Sequence, residues 1–92
     1  MGMFEFDPSK SAANSSKHGI DFLAAQALWL DEQLLVISAR TGKDEEPRWI
    51  AIGMIAGRHW SAIFTRRDLA IRLISVRRAR KEEVDLYEST DI

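Results

Sequence analysis

The sequence predicts an α+β domain: two N-terminal helices, an antiparallel β-sheet meander and a C-terminal helix. Three observations carry this. Apolar residues recur at helical spacing before Asp31-Glu32, β-forming runs separated by turn signals follow, and the charged last stretch returns to helical spacing. Helices segregated from strands in this way pack as a covered antiparallel sheet. A chain of 92 residues can build one modest core and not two, so residues 1–92 are expected to form a single domain.

The elements follow in order. Met3-Phe4-Glu5-Phe6 alternates apolar and polar side chains as a short strand does. Asp7-Pro8 supplies an N-cap and a proline for the first helical position, opening a helix to Lys17 that His18-Gly19 is suited to end. Asp21 caps a second helix. In it Phe22, Ala25 and Trp29 share a face while Leu23, Ala27 and Leu30 widen the apolar surface, so most of its circumference is expected to be buried. Leu34 to Ala39 reads as a strand, and the charged Arg40 to Pro47 as a loop. Arg48 to Ile55, His59 to Thr65 and Ala70 to Val76 are three further strands, joined by turns at Ala56-Gly57 and Arg67-Asp68. Arg77 to Glu88 is expected to close the chain as a helix with Val84 and Tyr87 on one face. Trp29, Trp49 and Trp60 are expected as core anchors, with base stacking open to any left exposed near arginines.

The formal net charge of −1 argues against a nucleic-acid binder until its distribution is considered. The segment Gly57 to Lys81 carries +7 and the remainder −8. Seven of the eight cations in that segment are arginines, whose planar forks suit phosphate. A polyanion-binding face and a solvated face paired with the acidic half are both compatible with this pattern. There is no cysteine, hence no disulfide framework and no thiolate site. No apolar run approaches the roughly 20 residues a bilayer requires, so no membrane role is expected and a cytoplasmic location is.

Most chemistries lack their residues. His18 and His59 have neither HExxH spacing nor cysteine company, so no metal site is expected, and no cofactor either. Gly53 and Gly57 do not precede a helix, which leaves no phosphate loop, and Ser75 stands in no nucleophile frame. What remains is arginine, histidine, carboxylate and Tyr87. That set can support RNA cleavage through the 2′-hydroxyl, which needs a base, an acid and cations against the phosphorane charge. Arg72 stands out among the apolar Ile71, Leu73 and Ile74; it is either a site residue or a strand arginine paired to Glu5 or Glu46. His18 can be a helix cap, His59 an exposed strand end and Tyr87 a core residue with its hydroxyl at the rim.

Three blocks of residues resemble the BrnT toxin family. The first is Phe4-Glu5-Phe6-Asp7-Pro8 with Lys10, Asn14 and Lys17-His18-Gly19-Ile20, followed by Phe22 and Ala25. The second is Glu45-Glu46, Arg48-Trp49 and Ile52-Gly53. The third is Thr65-Arg66-Arg67, then Ile71-Arg72-Leu73-Ile74-Ser75-Val76-Arg77, Ala79, Glu83 and Tyr87-Glu88. The resemblance implies a RelE-like fold and a ribonuclease that stops translation. It also implies a BrnA-like antitoxin as partner, RNA as substrate, and contact with operator DNA only through that antitoxin. Its motif positions make Arg72, His18, Glu46 and Arg67 the candidate catalytic residues. Arg77, Lys17, Arg48, Ser75 and Tyr87 become candidates for holding RNA phosphate.

The chain departs from the pattern in places. Arg40-Thr41-Gly42-Lys43-Asp44 lacks the usual histidine, Pro47 separates Glu46 from Arg48, and Arg66 and Asp68 replace an acid and a glycine. Val84, Asp85 and Leu86 replace a basic run. These departures leave open a non-catalytic module that only binds antitoxin and nucleic acid, or a scaffold that binds protein alone. For a toxin, the partner is expected to cover the basic cleft with an acidic surface or an acid-flanked apolar helix, competing with RNA.

Overall fold

The computed structural model describes residues 3–40, 42 and 46–89. In chain order the elements are β1 (Phe4–Glu5), α1 (Pro8–His18), α2 (Phe22–Ala25) continuing as a 3₁₀ helix (Gln26–Leu30), β2 (Leu35–Ser38), β3 (Trp49–Ile55), β4 (Arg58–Arg67), β5 (Ala70–Arg78) and α3 (Lys81–Ser89). The architecture is α+β as expected. Both helix starts are capped as their sequences demand: Asp7 accepts from the Ser9 N–H at 2.8 Å and Asp21 from the Ala24 N–H at 2.8 Å. Gly19 ends α1 in the left-handed region at φ 79°.

The five strands form one sheet in the order β1-β5-β4-β3-β2. β2 to β5 are the predicted antiparallel meander, but β1 adds a parallel edge, with Phe4 opposite Ile71 and Glu5 opposite Arg72. The β3–β4 hairpin turns through Ala56 and Gly57 at φ 51° and 79°, and the β4–β5 turn places Asp68 at φ 54°. A glycine suits that backbone better than aspartate does. Gly53 is needed for a different reason: a Cβ would lie 2.9 Å from Leu34 Cδ1 and 3.1 Å from Leu28 Cδ2, where the 3₁₀ helix crosses β3.

Three expectations are corrected. The second helix keeps α geometry for only four residues before tightening to 3₁₀, and it is not buried around most of its circumference: Leu23 is 69% exposed and Leu30 81%. Arg77 and Arg78 belong to β5 rather than to the last helix, because β4 begins at Arg58 and its Ser61 and Trp60 supply ladder partners for them. β4 also runs through Arg67, so the turn lies one residue later than predicted. Of the predicted loop, Thr41 and residues 43–45 lie outside the described residues.

Helices α1 and α2 and the 3₁₀ helix lie on one side of the sheet. The core there is Phe22, Leu28, Ala62, Phe64, Leu73 and Val76, all essentially without solvent. Trp29 stands edge-on to Phe64 (5.4 Å) and Trp49 stacks on it (6.0 Å). Trp60 is buried and Trp29 and Trp49 are half-buried against the core, and Arg66 covers the Trp49 ring at 5.1 Å. Helix α3 packs on the opposite side of the sheet. Among the described residues no helix is long and apolar enough to cross a membrane.

Candidate nucleic-acid interface

Strand periodicity sorts the basic segment between the two faces. Arg66 and Arg78 point to the helical side, where they lie over Trp49 and Trp60. Arg67 and Arg72 point to the other side, which α3 covers only in part. A bulge decides the rest. Ile63 pairs with Ser75 and Phe64 with Leu73, so Ile74 is the extra residue. Without it Ser75 and Arg77 would face the helices; with it both join Arg72, while Leu73 and Val76, three apart, enter the same core.

At the open end of this face Arg72 Nη1 lies 3.3 Å from Glu5 Oε1 and Arg67 Nη2 3.4 Å from Glu46 Oε1. Both contacts are long for charged pairs and half exposed, so an incoming phosphate can replace either carboxylate. Thr65, opposite Arg72, donates its hydroxyl to the Pro47 carbonyl at 2.8 Å and so holds Arg48 beside the group. The Arg48 Nε is buried and has no hydrogen-bond acceptor among the described residues. A buried N–H in that state is costly and calls for an acceptor.

At the other end the polar groups are already committed. Arg77 grips Glu83 through both terminal nitrogens at 2.8 Å, and Glu83 also accepts from the Ser61 hydroxyl and the Arg80 N–H. The Arg77 hydrogen bond holds the Glu83 carboxyl down at about 2 against the burial that would raise it, and Glu83 in turn raises the Arg77 pKa. Tyr87 donates to Asp31 Oδ2 at 2.7 Å, its ring edge-on to His59, and His59 Nε2 lies 2.8 Å from Glu88. Burial pushes the Asp31 carboxyl up, but the bonds from Tyr87, Gln33 and Met54, together with the His59 charge, hold it below the usual value. These bonds pin α3 to the sheet. Tyr87→Phe is therefore expected to lower stability by about 1 to 2 kcal/mol with a smaller change in activity, read by thermal melting beside a cleavage assay.

Lys17 and His18 form the last turn of α1. Asn14, one turn earlier, donates to the carbonyls of Ile20 and Val76 and accepts from the Val76 N–H, so it seals the free edge of β5. The last turn of α1 is thereby held against that edge, but no hydrogen bond joins His18 to another candidate residue among those described. Ser75 sits on the arginine face, half-buried, between the two ends. Sequence reasoning weighed Glu5 only as a structural partner of Arg72; the alternation of Phe4-Glu5-Phe6 was the signal that Glu5 faces away from the core. Among the described residues no three His, Cys, Asp or Glu side chains gather as a metal site.

Helices α1 and α2 on one face of a five-stranded sheet, with α3 and the loosely paired Arg67 and Arg72 on the other, define a small α+β domain. The family model for BrnT, the ribonuclease toxin of type II toxin–antitoxin systems, matches residues 6–83, and the chain belongs to that family. It is thus a ribonuclease toxin, made to act beside a cognate antitoxin. A search of curated proteins found no match.

Proposed function

We propose that the chain cleaves RNA without a metal ion, through attack of the 2′-hydroxyl on the adjacent phosphate, on the open arginine face. Arg72, Arg67 and Arg48 hold the phosphate and balance the charge that grows on it. Glu46, beside Arg67, takes the hydroxyl proton and water protonates the leaving 5′-oxygen, while His18, on α1 across the sheet, contacts the RNA strand outside the site. The observation that carries this reading is the conjunction of two long, replaceable arginine–carboxylate contacts with an Arg48 Nε that has no acceptor among the described residues. Lys17 and Ser75 serve as outer contacts to the RNA strand. Arg77 and Tyr87 act on RNA through α3, since each is already engaged within the protein. A BrnA-like antitoxin neutralises the enzyme in the cytoplasm and carries any contact with operator DNA.

Purified protein is expected to cleave RNA at an unchanged rate in EDTA, and RNA binding is expected to weaken steadily as salt rises. Cleavage that stops on chelation and returns with magnesium would overturn the metal-free mechanism. Binding without cleavage under all conditions, with no growth arrest on expression without antitoxin, would leave the non-catalytic module.

A further inference from the structure

The helical side of the molecule carries an open groove of about 600 Å³ between Met3 and Phe4, Leu23, Ala27 and Leu30, and Ile71 of β5. No residue lining it is charged, and the two leucines, 69% and 81% exposed, stand on its rim. An apolar patch of this kind on a small soluble fold marks an interaction surface. The charges beside it oppose RNA: Asp21 precedes Leu23 and Asp31-Glu32 follow Leu30, against Arg66, the register partner of Ile71, a balance of −2. They also oppose a second copy, because a two-fold contact would set one acidic surround against another.

The groove has a direct relation to the arginine face. Phe4 and Ile71 line it and are register partners; the next pair in register, Glu5 and Arg72, points to the opposite side of the sheet. A chain seated in the groove therefore reaches Arg72 by rounding one two-residue edge strand. We propose that the cognate antitoxin anchors an apolar, base-flanked segment in this groove and passes around β1 to displace Glu5 from Arg72 with an acidic group of its own. The inference rests on the toxin reading above and adds to it where the partner docks.

The test is dissociation kinetics of the purified chain from the purified antitoxin encoded beside it. Leu23→Glu with Leu30→Glu, and separately Leu30→Asn as a milder variant, change only exposed side chains, while Val36→Glu on the far sheet edge is the control. The double variant is expected to dissociate about tenfold faster or more, with Leu30→Asn intermediate, the control unchanged and RNA cleavage by free protein intact. Unchanged dissociation of a folded double variant overturns the groove assignment. So does a wild-type dimer, seen by sedimentation, that the double variant splits, since the groove then belongs to a second copy. Failure of the wild-type chain to bind the antitoxin at all removes the toxin reading itself.

Discussion

Replacing Arg72 with alanine is expected to lower RNA cleavage by about 100-fold or more and to abolish growth arrest, with the fold intact. The expectation has two parts. Arg72 is a half-buried cation of the open face whose register partners, Glu5 across β1 and Thr65 across β4, carry no positive charge to replace it. Its pair with Glu5 is long and partly exposed, worth about 0 to 1 kcal/mol, so its loss leaves stability nearly unchanged. Circular dichroism and single-turnover cleavage of the same preparation separate the two. A folded Arg72→Ala protein that cleaves at the wild-type rate removes Arg72 from the site. Arg67→Ala, at the exposed rim, is expected to have the smaller effect, and His18→Ala, on the other side of the sheet, to leave the single-turnover rate nearly unchanged.

The largest stability effect belongs to Glu83. Its carboxylate accepts two bonds from Arg77, one from Ser61 and one from the Arg80 N–H, the Ser61 bond buried and the others part-buried. Glu83→Gln leaves the Arg77 charge buried without its counter-ion, at a cost of about 3 to 5 kcal/mol. The pH dependence has a definite sign. A carboxyl lowered from 4.5 to about 2 in the folded state contributes stability that is fully present above pH 4.5 and lost as pH falls towards 2. Wild-type melting temperature should therefore fall through that window, and the Glu83→Gln curve should be flatter there. The double substitution Arg77→Met with Glu83→Leu is expected to recover most of the stability. If the recovered protein still cleaves RNA, Arg77 acts through α3; if it is folded and inert, Arg77 touches RNA directly.

What the sequence determined by itself was whatever depends on neighbours along the chain. The caps at Asp7 and Asp21, the turn at Ala56-Gly57 and the glycine end of α1 are local, and each was legible, whereas Arg67 read as a turn residue and proved to end β4. The motif blocks likewise identified the family. Tertiary structure decided the rest, because it depends on partners far away in the chain. β1 becomes a parallel edge only by meeting β5, which brings Glu5 to Arg72 across 67 residues. Arg77 reads as a helix start until β4 offers it a ladder partner. The bulge at Ile74, which turns Ser75 and Arg77 onto the arginine face and Val76 into the core where strict alternation would do the reverse, is decided by the pairing with β4. Exposure of Leu23 and Leu30 is hidden for the same reason: helical spacing states which residues share a face, and only the assembled sheet states how much of that face it covers.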